Sequence, residues 1–260
     1  MTEATTTELV HLAVTDGIAT VTLDSPHNRN ALSAQLRSEL LAHLESAFAD
    51  PAVRVVVLTH TGSVFCAGMD LKEASAGATA GEEFPRILEA LWESPKPVVA
   101  RLAGPARAGG LGLVAACDIA VAADEVTFAF TEVRIGVVPA VISVTVLPRL
   151  VPRAANELFL TGETFDAHRA VAIGLLNSAV AAERLDDEVA RFTGMLALGA
   201  PNALAATKRM LRARRPESMR AELAEMLALS AHHFTSAEGQ EGMAAFLEKR
   251  PPAWVPAGSG

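Results

Sequence analysis

The stretch AGPARAGGLGLVAACD, residues 103–118, organises the chain, because its glycines stand between two apolar runs. Residues 97–102 before it and residues 119–123 after it predict two buried strands. Glycine allows backbone conformations and close approaches that other residues do not. Residues 111–117 predict a short helix, and a loop that leads into a helix presents unpaired N–H groups. This stretch is therefore suited to hold an oxygen atom that carries negative charge.

Length and charge limit the possible functions. The 260 residues are half hydrophobic, which is enough for one large domain with a small appendage. The net charge of −8 argues against a nucleic-acid partner, although it leaves room for an anionic small ligand. We expect no signal peptide before Leu9 and no membrane partner, since no apolar run approaches the roughly 20 residues that span a bilayer. Cys66 and Cys117 lie in apolar sequence, which predicts reduced core thiols and a cytoplasmic protein.

Predicted strands and helices alternate as far as residue 180. Residues 9–14 and 18–23 are strand-like, and the Asp16-Gly17 pair between them is typical of a hairpin turn. The order predicts an α/β fold with a core of residues 1–198, followed by a helical oligomerisation region of residues 199–260. We expect helices alone beyond residue 183, over residues 184–198, 202–214, 217–234 and 236–249.

Two glycine turns are candidates for a binding site. Ala67-Gly68 and Gly109-Gly110 each follow a predicted buried strand. If those strands are neighbours in one sheet, both turns open on the same side, and one N–H group from each could hold a carbonyl oxygen as it becomes an oxyanion. Such donors are worth about 3–4 kcal/mol each in acyl chemistry. Spacing alone is equally consistent with two tight turns that bind nothing.

Other nucleotide and metal motifs fit less well. Residues 110–115 match G-x-G-x-x-A, and Glu132 lies where a dinucleotide-binding acid could stand. The loop that precedes them is long, and the helix must end by Cys117, so an NAD-dependent dehydrogenase is disfavoured. The chain has no P-loop and no G-x-S-x-G motif, and its seven histidines lack ligand spacing, so we expect no metal.

Four motifs together resemble those of the crotonase (enoyl-CoA hydratase/isomerase) superfamily. They are SVFCAGMDLK at 63–72, GGLGL at 109–113 with CDI at 117–119, residues 128–139, and AFLEKR at 245–250. The resemblance covers residues 9–254. It implies a crotonase-like spiral of repeated ββα turns with a C-terminal helical trimerisation region, and a homotrimer or a hexamer that pairs two trimers. The substrate would be an acyl-CoA thioester, with no other cofactor.

The resemblance also implies catalytic roles. The N–H groups of Ala67 and Gly109 match the oxyanion hole of the family, and Glu132 matches one of two glutamates that typical hydratases use. Gly112 stands where the other glutamate is expected, so Glu132 would carry most of the proton transfer. We expect hydration of a 2-enoyl-CoA. The alternatives are isomerisation of a 3-enoyl-CoA to a 2-enoyl-CoA through one glutamate, and non-catalytic binding of acyl-CoA.

Further residues are predicted to bind the substrate or its CoA. Arg107 is unusual for the family, and it could approach a substrate carboxylate or the thioester, or it could be a surface arginine that pairs with a neighbour. Lys249 is expected to reach a phosphate from the C-terminal helix of a neighbouring subunit. The remaining predicted contacts are Asn28, Arg29, Ala31, Leu32, Gly68, Asp70, Leu71, Lys72, Gly110, Gly112 and Phe246.

Overall fold

A six-stranded sheet forms the centre of the fold. The computed structural model describes residues 7–75, 81–212 and 218–255. Within them the strand order is β1-β2-β3-β4-β6-β9, in which only the β1–β2 pair is antiparallel. The strands are β1 (Val10–Thr15), β2 (Ile18–Leu23), β3 (Val55–His60), β4 (Val98–Leu102), β6 (Ile119–Ala123) and β9 (Ser178–Val180).

A smaller sheet of three short strands completes the spiral. Its order is β5 (Ala106–Arg107), β7 (Thr127–Ala129) and β8 (Phe165–Asp166). β5 follows β4 and β7 follows β6, so the chain leaves the large sheet, pairs in the small one and then enters a helical segment. These repeated ββα turns confirm the predicted α/β spiral.

The strands form where backbone chemistry favours them. Asp16 and Gly17 have positive φ angles of 50° and 78°, as a tight hairpin turn requires. Every residue of β3 is buried, in keeping with its continuous apolar run and its two parallel neighbours. β3 and β4 are adjacent, so the two glycine turns that follow them leave the same edge of the sheet.

Helices cover the sheets and make up the C-terminal region. The Ser33 hydroxyl accepts a hydrogen bond from the Leu36 N–H and caps α1, and Asp166 caps α7 in the same way. The helices are α1 (Ala34–Ala49), α2 (Leu71–Ser75), α3 (Glu83–Glu93), α4 (Gly109–Ala116), α5 (Ala140–Val146), α6 (Pro152–Thr161), α7 (Ala167–Ala172), α8 (Leu185–Ala197), α9 (Pro201–Arg212), α10 (Met219–Thr235) and α11 (Ala237–Glu248).

Two helix boundaries differ from expectation. The helix predicted over residues 111–117 begins two residues earlier, at Gly109, so the glycine pair forms its first turn instead of a loop before it. The helix expected over residues 202–214 begins one residue earlier, with Pro201 as the first residue of α9. Proline is favoured at that position because the first N–H groups of a helix have no intrahelical acceptor. None of the described helices is long and apolar enough to cross a bilayer.

A buried ionic cluster attaches α9 to the spiral. The Asp118 carboxylate accepts hydrogen bonds from Lys208 Nζ at 2.6 Å and from Arg212 Nη2 at 2.5 Å. It also accepts from the Val98 N–H at 2.8 Å, and the Arg212 guanidinium lies 5.0 Å from the centre of the Trp92 ring. The side chains of Lys208 and Arg212 are nearly inaccessible, so their charges depend on Asp118 for compensation.

Replacing Asp118 by Asn should therefore destabilise the protein strongly. The change leaves two buried cations without a negative partner, and we expect the free energy of unfolding to fall by about 3 kcal/mol or more. Urea unfolding of the Asp118→Asn variant measures this. Asp186→Asn is the matched control, because its carboxylate pairs with Arg101 while 80% exposed, and exposed pairs contribute less than about 1 kcal/mol. Equal losses in the two variants would contradict a role for this cluster in attaching α9.

Candidate active site

The two glycine turns lie side by side at the end of β3 and β4. The Phe65 N–H donates to the Pro105 carbonyl at 3.0 Å, and the Arg107 N–H donates to the Cys66 carbonyl at 2.9 Å. Cys66 and Ala106 form a parallel bridge between the turns. The prediction that both turns open on one side of the sheet is therefore confirmed.

Glycine is required where the turns touch. Gly68 has a φ of 90°, and a Cβ atom there would lie 2.9 Å from the Ala108 Cβ and 3.4 Å from the Gly109 nitrogen. A Cβ on Gly109 would lie 2.8 Å from Leu32 Cδ1. Real Cβ atoms do not come this close to backbone or buried side chains, so only glycine lets these two backbones approach.

The pair of free N–H groups differs from the predicted pair. The Ala67 N–H donates to the Arg29 carbonyl at 3.1 Å, and the assignment of this group to the oxyanion hole stays a prediction. The polar turn at residues 25–30 folds under the first glycine turn and supplies that acceptor. Within the described part of the chain, no acceptor receives the N–H groups of Met69 or Gly109. Both residues line the cavity beside the turns.

Ala108 carries a strained backbone at this point. Its φ of 46° and ψ of −117° belong to a region that glycine occupies easily and other residues rarely adopt. Such conformations cost on the order of 1–3 kcal/mol and persist only where the surrounding structure enforces them. Since Ala108 directly precedes Gly109, the strained residue lies at the N-terminus of α4.

A cavity of about 430 Å³ lies in front of these turns. The turns form one side, residues 131–142 form a second, and α10 and α11 cover it from the same chain. Among the described residues, no three His, Cys, Asp or Glu side chains group as metal ligands. The predicted site residues that line the cavity are Arg29, Ala67, Leu71, Arg107, Gly109, Glu132 and Phe246.

Glu132 is the one carboxylate among the described residues that line this cavity. Glu132 is the first residue of a 3-10 helix, Glu132–Ile135, shortly after β7, and it is 8% exposed. Its Oε2 atom has no hydrogen-bond partner in the described structure. Burial raises the pKa of the Glu132 carboxyl to about 7, because the charged form loses hydration. Near neutral pH this group can both accept and donate a proton, as a general acid–base residue must.

Gly112 faces an isoleucine where a second carboxylate was expected. A Cβ atom on Gly112 would lie 2.7 Å from Ile142 Cγ2 and 3.5 Å from Phe84 Cζ. The Thr145 hydroxyl donates to the Gly112 carbonyl at 3.1 Å and holds α5 against α4. The place of the second glutamate is therefore filled by α5, and the cavity wall opposite the turns is apolar.

Several residues predicted to bind the substrate or its CoA also have structural roles, and their contacts with a ligand stay predictions. The side-chain carbonyl of Asn28 accepts from the Ser25 hydroxyl and the Ala31 N–H. The Asp70 carboxylate accepts from the Lys72 N–H at 2.9 Å and caps α2. Residues buried away from the cavity are Ala31, Leu32, Gly110 and Gly112, while Gly68 contacts Ala108 and neither Lys72 nor Lys249 lines the cavity.

Arg107 hydrogen-bonds to backbone and hydroxyl oxygens in the described structure, and its contact with a substrate carboxylate or thioester stays a prediction. Its guanidinium donates to the Ala106 carbonyl at 3.0 Å, to the Thr127 carbonyl at 2.5 Å and to the Thr127 hydroxyl at 2.8 Å. The side chain is half-buried, and burial lowers its pKa. It is thus neither a surface arginine in an ion pair nor aimed at a free carboxylate in the described structure.

Three features of the site were not predicted from the sequence. Met69 supplies a free N–H group, Ile142 occupies the place of a carboxylate, and Phe234 of α10 covers the cavity. The signal for Met69 was present, because the residue after a glycine turn often has an unpaired N–H. No local pattern marks Ile142 or Phe234, since both arrive from distant helices.

The chain is similar to known proteins over nearly its whole length. Residues 13–256 match the family model described as enoyl-CoA hydratase/isomerase. An enoyl-CoA hydratase structure from Mycobacterium avium is 45% identical with a TM-score of 0.85, covering 96% of this chain and all of the other. Enoyl-CoA hydratase domain-containing protein 3 of Rattus norvegicus is 35% identical, over 92% of this chain and 82% of its own. The carnitinyl-CoA dehydratase of Proteus mirabilis is 33% identical, over 94% of this chain and 97% of its own.

The buried carboxyl of Glu132 should make stability depend on pH. The folded state binds this proton more tightly than the unfolded chain, since the pKa rises from 4.5 to about 7 on folding. The free energy of unfolding therefore falls as the pH rises from about 4.5 to about 7, and the contribution of Glu132 to it is constant above that range. We expect Glu132→Gln to be more stable than wild type by about 3 kcal/mol at pH 8, and by about 1 kcal/mol or less at pH 5.

Urea unfolding of wild type and variant at the two pH values measures this difference. Glu125→Gln is the control, because Glu125 is exposed and its neutralisation should change little at either pH. A Glu132→Gln variant that gains no stability at pH 8 would show that the carboxylate is not destabilised by its surroundings.

Proposed function

Because the chain belongs to the enoyl-CoA hydratase/isomerase family, we propose that it is an acyl-CoA enzyme that adds water across the double bond of a 2-enoyl-CoA. The observation that carries this proposal is the buried Glu132 carboxyl, whose Oε2 has no partner in the described structure, in the same cavity as two free backbone donors. One group moves protons, and the other two stabilise negative charge. Acid–base chemistry next to a thioester carbonyl needs both.

The thioester oxygen would accept hydrogen bonds from the N–H groups of Met69 and Gly109. As water adds to C3 of the substrate, electron density moves onto this oxygen and gives an enolate. Donors that are already in place stabilise such an oxyanion by about 3–4 kcal/mol each. The strained residue before Gly109 and the glycine before Met69 keep both donors in position.

Glu132 would act twice in one turnover. Its carboxylate takes a proton from water as the water oxygen bonds to C3, and the resulting carboxylic acid returns that proton to C2 of the enolate. The sum is the addition of one water molecule, and no external acid or oxidant is needed. A carboxyl whose pKa is raised to about 7 suits both halves of this cycle.

CoA and oligomerisation complete the proposal. The exposed Arg29 side chain at the cavity suits a CoA phosphate, and we propose no cofactor besides this thioester.

We also propose a homotrimer or a hexamer, because the C-terminal helices expose apolar side chains. A cytoplasmic location stays a prediction from the two buried free cysteines. The exposed apolar residues of the helical part are Met195, Leu198, Met210, Leu211, Leu229, Phe246 and Leu247.

A second candidate reaction is the isomerisation of a 3-enoyl-CoA to a 2-enoyl-CoA. It is favoured by the absence of a second carboxylate, since Ile142 fills that place. Here Glu132 would remove a proton from C2 and return it to C4, and the same two N–H groups would hold the enolate oxygen. The apolar wall would then exclude water from the reacting carbons.

Turnover of a substrate panel tests these reactions. Crotonyl-CoA, longer 2-enoyl-CoA esters and a 3-enoyl-CoA are offered to wild type, Glu132→Gln and the control Glu125→Gln. We expect hydration by wild type and the control, and a loss of about 100-fold or more in Glu132→Gln, as for a general acid–base residue. Isomerisation without hydration would select the second candidate. Binding of CoA esters without any turnover would make the protein an acyl-CoA binder and overturn the proposal.

The space beside Gly112 can be tested by restoring a carboxylate. We expect Gly112→Glu to reduce stability and activity, since its Cβ would lie 2.7 Å from Ile142 Cγ2. Adding Ile142→Ala should relieve this contact and raise the hydration rate at least tenfold above Gly112→Glu alone. Ile142→Ala by itself is the control. If Gly112→Glu folds and hydrates as well as wild type, Ile142 does not exclude a carboxylate from this position.

A further inference from the structure

The role of Arg107 follows from the strand that carries it. β5 is two residues long and directly precedes Ala108 and Gly109. Such a short strand has few backbone bonds to hold it. The Arg107 N–H binds the Cys66 carbonyl at 2.9 Å on one side, and the Ala108 N–H binds the Ala129 carbonyl at 3.1 Å on the other. The guanidinium adds the three hydrogen bonds to Ala106 and Thr127 and so joins β5 to β7 a second time.

These bonds lead away from the reacting atoms. Thr127 is the first residue of β7, whereas Glu132 follows the other end of that strand. Although Arg107 lines the cavity, both of its terminal nitrogens donate to protein oxygens. A half-buried cation held only by carbonyl and hydroxyl oxygens fits a structural fastening, for which the planar fork of arginine is well suited.

The hydrogen bonds of Arg107 constrain the backbone of the next residue, Ala108. The ψ angle of this residue sets the plane of the peptide that carries the Gly109 N–H, and Ala108 holds φ 46° and ψ −117°. An alanine freed from its neighbours would leave this region, because it is favourable only for glycine. Rotation of that peptide would turn the Gly109 N–H away from its present direction.

We propose that Arg107 is a positioning residue for the oxyanion hole: it fixes β5 on β7, holds Ala108 in its glycine-like conformation and thereby aims the Gly109 N–H at the cavity. The inference rests on the proposed function, in which that N–H group binds the thioester oxygen. It differs from a substrate contact, since Arg107 acts through the backbone and touches no reacting atom.

Combining a substitution of Arg107 with Ala108→Gly distinguishes a positioning role of Arg107 from direct binding of the substrate. Arg107→Met removes the fork but keeps an unbranched apolar stem, and we expect kcat to fall at least tenfold while KM changes little. Ala108→Gly alone gives the reference activity against which the double variant is compared. The double variant should recover to within about threefold of Ala108→Gly, because glycine adopts the required angles without support. If Arg107 bound substrate, Ala108→Gly would restore nothing, and that result would overturn the inference.

Polarisation of a bound thioester gives a readout that does not require turnover. A 2,4-dienoyl-CoA ester absorbs at longer wavelength when its thioester oxygen accepts hydrogen bonds. All measurements use the Glu132→Gln background, so that the bound ester is not turned over. We expect a red shift when Arg107 is intact and a loss of at least half of that shift when Arg107→Met is added. Adding Ala108→Gly to Arg107→Met should restore the shift. No shift in any variant would refute the proposed oxyanion hole, whereas a shift that Arg107→Met leaves unchanged would refute only the role of Arg107.

Folding of the variants is checked in parallel. Circular dichroism and urea unfolding establish whether Arg107→Met is folded, and Arg107→Lys provides a second variant that retains the positive charge. Lysine donates from a single nitrogen and lacks the planar fork whose two terminal nitrogens bind the Thr127 carbonyl and hydroxyl, so we expect a loss of red shift close to that of Arg107→Met. If Arg107→Lys retains the full shift and kcat, charge alone is sufficient and the positioning role is wrong.

Discussion

The pairing of two loops at the edge of one parallel sheet is the constraint on which the site depends. β3 and β4 are neighbours, so the chain must turn twice at the same place, and each turn bonds to the other through the backbone of Cys66 and Arg107. Gly68 and Gly109 let the two backbones come into contact. The N–H groups of Met69 and Gly109 have no acceptor in the described structure, and both residues line the cavity. The catalytic potential of the site is therefore a consequence of how the sheet ends.

The same cavity holds a carboxyl group under unfavourable conditions. Glu132 lacks a partner for Oε2, and desolvation raises its pKa toward neutrality. A buried charge without a partner costs stability, and a fold accepts that cost where reactivity is needed. Ala108 adds a second local cost, a backbone conformation that suits glycine. Both of these unfavourable features line the same cavity.

The sequence predicted what local chemistry determines and missed what distant residues decide. The hairpin at Asp16, the buried strand β3 and the two glycine turns follow from short-range patterns, and the structure confirms them. The acceptor of the Ala67 N–H is the Arg29 carbonyl, which is far away in sequence, whereas the Met69 N–H has no acceptor in the described structure. Likewise, the acceptors of the Arg107 guanidinium include Thr127, 20 residues along the chain. Motifs therefore located the candidate site, and tertiary contacts decide the hydrogen-bond partners of its individual groups.

The C-terminal helices pack against the segment that carries Glu132. α11 packs against the 3-10 helix that Glu132 begins, and it does so at backbone distance. A Cβ atom on Gly242 would lie 2.3 Å from the Ile135 carbonyl oxygen, so a larger residue there would separate the two elements. Phe246 and Phe234 line the same cavity as Glu132, whose pKa is raised by burial. A segment expected to serve subunit association thus also lines the site in its own chain. Any change that lifts α11 should lower the pKa of Glu132 toward its ordinary value, and the proton-transfer group would lose the property that suits it to its task.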